Sequence, residues 1–117
     1  MITVYGRNTS VNVQAVMWCI AELGLDHERL DYGAAFGKTD TAEYRAMNPN
    51  GLVPTIKDGE TVIWESAAIV RYLACKYGDE QFWPRDPGAR AQLDMWAEWM
   101  KSTIYPDFTM TVFIQLV

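Results

Sequence analysis

Apolar and polar residues alternate from Ile2 to Gly6, the period-two mark of a short strand. A polar run, Arg7-Asn8-Thr9-Ser10, follows. Val13, Val16, Met17, Ile20 and Leu23 then recur at i, i+3, i+4, i+7 and i+10. That spacing draws one apolar stripe along a helix that starts near Val11–Val13, and Gly24 ends it as a C′ glycine. Glu28–Tyr32 reads as a second strand. Residues 33–41 form a glycine-rich polar connection, and residues 41–47 a short helix that stops before Asn48-Pro49.

A strand is expected over 53–57, with Pro54 near its start, and another over 60–64. Asp58-Gly59 between them is a strong two-residue hairpin signal. At Glu65-Ser66 the period changes from two to about 3.6, so this pair opens a helix over 65–77 that Gly78 ends. Unpaired N–H groups and the positive end of the dipole make such a start a ready carboxylate site. The order β-α-β-α-β-β-α joins a parallel βαβ unit to an antiparallel hairpin, which predicts an α/β domain over 1–78. Residues 79–88, rich in proline and charge, read as a linker. A final helical segment follows over 89–117, with Ala89, Leu93, Trp96, Ala97, Met100 and Ile104 on one face.

The 117 residues are enough for a sizeable core, and half of them are apolar, with five Trp and six Tyr. A net charge of −5 with dispersed acids argues against nucleic acid or an anionic membrane as a partner. The opening residues read as a strand rather than a secretory leader, and no run is long enough to span a membrane. Cys19 and Cys75 fall inside helical patterns without a C-x-x-C spacing, as packed, reduced thiols of a cytoplasmic protein would. One histidine and two distant cysteines predict no metal site. Trp18, Trp64, Trp96 and Trp99 read as packing residues rather than a stacking platform for bases, and His27 is expected to be exposed.

The segment 48–73 resembles the glutathione-binding half of the cytosolic glutathione transferases, of the bacterial, theta-, beta- and nu-like kind. Asn48, Pro49, Gly51, Val53 and Pro54 match its N-P-x-G-x-V-P. Glu65, Ser66, Ala68, Ile69, Tyr72 and Leu73 match its E-S-x-A-I-x-x-Y-L after the hairpin. The resemblance implies a thioredoxin-like βαβαββα domain followed by the first helix of an all-helical domain. It also implies glutathione as co-substrate, no tightly held cofactor, a small electrophile as second substrate, and a homodimer.

The implied chemistry is activation of a thiol. A thiol with a reference pKa of about 8.5 is mostly protonated at neutral pH, and the thiolate is the nucleophile. Ser10 and Asn12 sit where the first helix begins, and relatives use an uncharged donor there to hold the sulfur. Ser10 is the first choice and Asn12 the second, with Thr9 one residue away; either could equally be a helix cap. The resemblance makes Val53-Pro54 a cis peptide whose Val53 N–H and C=O meet the cysteinyl backbone of glutathione. It gives Glu65 the γ-glutamyl ammonium, Ser66 the γ-glutamyl carboxylate and Lys38 the glycyl carboxylate. Leu52 departs from the pattern, since many relatives carry a polar or basic residue there. Other readings are a glutathione-dependent disulfide reductase, a non-catalytic interaction module, or an inactive fragment.

Overall fold

The structure, a computed structural model, describes residues 1–116, so Val117, the last residue of the predicted 89–117 segment, lies outside the described residues. The chain divides into two compact units, one ending at Gly78 and the other starting at Asp79.

In the first unit β1 (Ile2–Tyr5), β2 (His27–Leu30), β3 (Thr55–Asp58) and β4 (Thr61–Trp64) form one sheet in the order β2-β1-β3-β4. β1 pairs in parallel with β2 and antiparallel with β3, and β3 pairs antiparallel with β4. The helices are α1 (Val11–Leu23), α2 (Ala42–Met47) and α3 (Ser66–Tyr77), with a 3₁₀ turn at Ala34–Phe36. This is the predicted βαβαββα order, and the parallel β1–α1–β2 unit and the β3–β4 hairpin are both present.

The core follows from periodicity. Ile2, Val4 and Ile56 project from one sheet face, and Val13, Val16, Cys19 and Ile20 from α1 and Ile69 and Leu73 from α3 close over them. Gly24 ends α1 in the left-handed region at φ 63, its N–H bonded to the Ala21 and Ile20 carbonyls. Gly6 lets α1 come close to β1: a Cβ there would stand 2.4 Å from Val13 Cγ2.

Several boundaries differ from the expectation. The hairpin loop is Gly59-Glu60 rather than Asp58-Gly59, because Asp58 stays in the ladder opposite Thr61. Gly59 has φ +60, as the first loop position of a type II′ turn needs. Asp58 is held in the strand by its side chain, which accepts hydrogen bonds from Tyr72 (2.8 Å), Tyr77 (2.7 Å) and Lys76 (2.9 Å) of α3. β3 starts at Thr55 rather than residue 53, since Pro54 has no N–H to give the ladder. β2 runs from His27 to Leu30 rather than from Glu28 to Tyr32.

Tryptophan placement is corrected too. Trp18 is 71% exposed and Trp96 65%, with Trp64 and Trp99 also exposed. Trp18 lies on the side of α1 opposite the Val13–Val16–Ile20 stripe, and its indole N–H bonds to Glu22 instead of a core acceptor. His27 is exposed, as expected.

In the second unit α4 (Pro87–Trp99) begins two residues earlier than residue 89. Asp86 caps it by accepting from Ala89 N–H at 2.9 Å, and Pro87 occupies the first turn, where a missing N–H costs nothing. The helix continues as a π-helical stretch, Met100–Phe113, with Pro106 inside, and ends in one α-turn, Ile114–Leu116. None of the helices, over the described residues, is long and apolar enough to cross a membrane.

Candidate functional site

Two helix starts meet in the first unit. Ser66, the first residue of α3, donates its hydroxyl to Asn12 Oδ1 in the first turn of α1 at 3.4 Å. Ser66 is 4% exposed and Ser10, the N-cap of α1, 8%. Four predicted residues, Ser10, Asn12, Glu65 and Ser66, therefore belong to two adjoining helix entries, where orphan N–H groups and dipoles favour an anion.

The two serines differ in their local work. Ser10 Oγ accepts from Val13 N–H at 3.4 Å, so it is a helix cap. That bond uses a lone pair of the hydroxyl and leaves its proton to donate elsewhere. Ser66 does not cap α3. Glu65 holds the cap position without any side-chain cap bond, so the first-turn N–H groups of α3 meet no capping side chain.

Glu65 is exposed and has φ 73, ψ 113. A non-glycine residue at positive φ costs about 1–3 kcal/mol and persists only where its surroundings impose it, and such residues gather at binding sites. Lys38 is also at φ 73. Its ammonium donates to the Asp31 carbonyl at 3.3 Å and lies 5.0 Å from the Tyr32 ring centroid. These contacts keep Lys38 with the exit of β2, and none of them involves Ser10, Asn12, Val53, Glu65 or Ser66.

Val53-Pro54 is a cis peptide. The loop around it is braced by residues to which the sequence reading gave no role. Tyr44 Oη donates to the Leu52 carbonyl at 2.6 Å and lies 2.8 Å from Thr55 Oγ1. Asn48 Nδ2 donates to the same two oxygens, Leu52 O and Thr55 Oγ1, at 3.0 and 3.1 Å, while its Oδ1 accepts from Asn50 N–H at 3.0 Å. Tyr44, Asn48 and Thr55 are all buried. Leu52 and Thr55 are thus fixed on either side of Val53, whose N–H and C=O make no hydrogen bond among the described residues. The available signal was Thr41, whose hydroxyl accepts from Tyr44 N–H at 3.2 Å: it caps α2 and so sets which side chain of that helix turns inward.

Burial pushes the Cys19 thiol up, so it is a poor nucleophile in the folded chain. Among the described residues no group of His, Cys, Asp and Glu could hold a metal ion.

A family model, the glutathione S-transferase N-terminal domain, matches residues 1–75. Glutathione S-transferase GstB of Escherichia coli K12 is 45% identical over 106 residues, covering 89% of this chain and 51% of that protein. Glutathione S-transferase 3 of Zea mays is 35% identical over 118 residues, covering 99% of this chain and 53% of that protein. A theta class glutathione S-transferase of Xanthomonas axonopodis pv. citri, solved with glutathione bound, superposes with a TM-score of 0.87 at 47% identity. The match covers 92% of this chain and 52% of that one. The chain thus spans about half the length of these relatives. On the N-terminal match and these identities, the chain belongs to the glutathione S-transferase family.

Proposed function

We propose that the first unit binds glutathione and activates its thiol for attack on an electrophile. The observation that carries this reading is the Ser66–Asn12 hydrogen bond, which joins the positive ends of α1 and α3. Glutathione has an anion for each: the γ-glutamyl carboxylate at the α3 start, and the sulfur, once deprotonated, at the α1 start.

In this reading Ser66 N–H and Oγ take the γ-glutamyl carboxylate, where no side chain competes as a cap, and Glu65 takes the ammonium. The strained Glu65 backbone supports a role in binding rather than in helix initiation. The free peptide groups of Val53, beside Pro54, pair with the cysteinyl backbone. Ser10 donates its remaining proton to the sulfur, assisted by the α1 dipole, and so favours thiolate over thiol. Asn12 aligns Ser66 and backs the same anionic region. Lys38 would reach the glycyl carboxylate only by leaving Tyr32.

Glutathione enters as co-substrate, with no tightly held cofactor. Residues 1–78 form the glutathione-binding domain, 79–88 the connection with the first residues of α4, and 89–117 the opening of an all-helical domain that helps hold the electrophile. The assembly is a homodimer in the cytoplasm, an environment that suits the free thiols Cys19 and Cys75. The relatives named above carry the transferase name and support the enzymatic reading.

Calorimetric titration of glutathione into the chain and into Ser66→Ala and Ser10→Ala variants tests the proposal. Binding should be lost or weakened at least tenfold in the Ser66 variant. It should be largely kept in the Ser10 variant, with the pKa of the bound thiol raised. No heat with the unmodified chain would sink it.

A further inference from the structure

Arg7 has no part in the roles assigned above, yet it sits beside them. Its N–H donates to the Tyr32 carbonyl at 3.0 Å and its carbonyl accepts from Ser10 N–H at 3.3 Å. The side chain is therefore rooted between the exit of β2 and the cap of α1. It runs half-buried to Gly33, where a Cβ would stand 3.0 Å from Arg7 Nη1 and 3.3 Å from Val53 Cγ1. Gly33, buried and at φ +88, leaves the space that brings the guanidinium beside Val53.

Other arginines of this unit are engaged. Arg29 donates to the Gly6 carbonyl at 2.9 Å and pairs with Asp31, and Arg45 donates to the Pro49 carbonyl at 3.2 Å. The Arg7 guanidinium has no hydrogen bond or ion pair among the described residues, and the nearby Asp31 carboxylate is already held by Arg29. A guanidinium offers five donors in a planar fork that matches a carboxylate. Withdrawn in part from water and without an anion, it gains from receiving one.

We propose that Arg7 is a specificity-determining residue whose guanidinium, beside Gly33 and Val53, receives a carboxylate. The proposal rests on the glutathione reading above. The carboxylate has two sources: the glycyl end of glutathione, or an acidic group on the electrophile. Both match the guanidinium fork, which no side chain of the described residues engages, and the other candidates are poorly suited: Lys38 is drawn to Tyr32 and Leu52 carries no charge.

Calorimetry on the full chain separates these sources. The ligands are glutathione, glutathione amidated at its glycyl carboxylate, S-(4-carboxy-2,6-dinitrophenyl)glutathione and the aryl methyl ester of that conjugate. Each is titrated into the unmodified chain and into Arg7→Gln and Arg7→Lys variants. If Arg7 receives the glycyl carboxylate, Arg7→Gln weakens glutathione about tenfold and leaves the amide unchanged. If it receives the acidic group of the electrophile, glutathione and the ester are unchanged and the carboxylate conjugate loses about tenfold. Arg7→Lys should lose less than Arg7→Gln in either case. Equal affinities for all ligands in chain and variants overturn the proposal while leaving the glutathione reading intact. So does an equal loss for charged and neutralised ligands with a lowered melting temperature, since that marks a structural role. No glutathione binding to the unmodified chain overturns both.

Discussion

Tyr44 Oη and Thr55 Oγ1 lie 2.8 Å apart in the buried interior, joining α2 to the first residue of β3. Asn48 Nδ2 donates to the Leu52 carbonyl, as Tyr44 Oη does, and to Thr55 Oγ1, so the Leu52 carbonyl keeps a donor if either side chain is truncated. Tyr44→Phe should therefore cost only about 1 kcal/mol. Asn48→Ala removes the shared donor and also the acceptor that shapes the turn at Asn50, and should cost about 2–3 kcal/mol. Urea unfolding of the two variants tests the ranking, and a larger loss for Tyr44→Phe would refute it.

Acid should loosen the hairpin from α3. Burial works against the Asp58 carboxylate, but hydrogen bonds from Lys76, Tyr77 and Tyr72 outweigh it and hold its carboxyl below the usual carboxylate range. A carboxyl whose pKa is depressed by folding adds stability above its unfolded pKa of about 3.9, and that stability is lost as pH falls through the folded value. Asp58→Asn should lower stability near neutral pH by about 1–2 kcal/mol and flatten the acid limb of a stability–pH curve. The Lys76 ammonium is pushed up by the same carboxylate, so its contribution is present below about pH 10 and is lost only in strong alkali. Equal acid limbs for chain and variant would refute the assignment.

Gly6→Ala should damage folding and binding together. The added methyl would meet Val13 Cγ2 at 2.4 Å and Val53 Cβ at 3.4 Å, so α1 must shift away from β1. Overpacking of this kind costs about 1–3 kcal/mol. Thermal unfolding should report a lower midpoint, and glutathione titration a weaker complex.

Glu65→Gly should separate stability from binding. Glycine adopts the positive φ of this position without steric cost, so the thermal midpoint should hold or rise, by up to about 1 kcal/mol in stability. Glutathione affinity should fall, because the carboxylate is gone. A destabilised variant with intact affinity would show that Glu65 matters to the fold alone.

The elements that define the fold were legible because each rests on a local pattern. The stripe from Val13 to Leu23 and the glycines at 24 and 59 fix a helix and a turn within a few residues. What was less legible depends on partners distant in sequence. The ladder keeps Asp58 because α3 supplies its hydrogen bonds, 14 to 19 residues later. Trp18 looked like core by residue type, although its helical phase points it outward. At the site, Ser10, Asn12, Glu65 and Ser66 could be named from motif positions, but the Ser66–Asn12 contact spans 54 residues. Arg7 left no trace in the sequence, where one cation in a polar loop reads as solvated.

Leu52 shows a division between main chain and side chain. Its carbonyl is gripped by Tyr44 and Asn48, yet its side chain is 64% exposed. Position 52 can therefore change identity without disturbing the backbone that presents Val53. Such a site is open to evolutionary drift and to engineering: a lysine or glutamate introduced there would alter the charge beside the proposed glutathione site while the loop kept its shape.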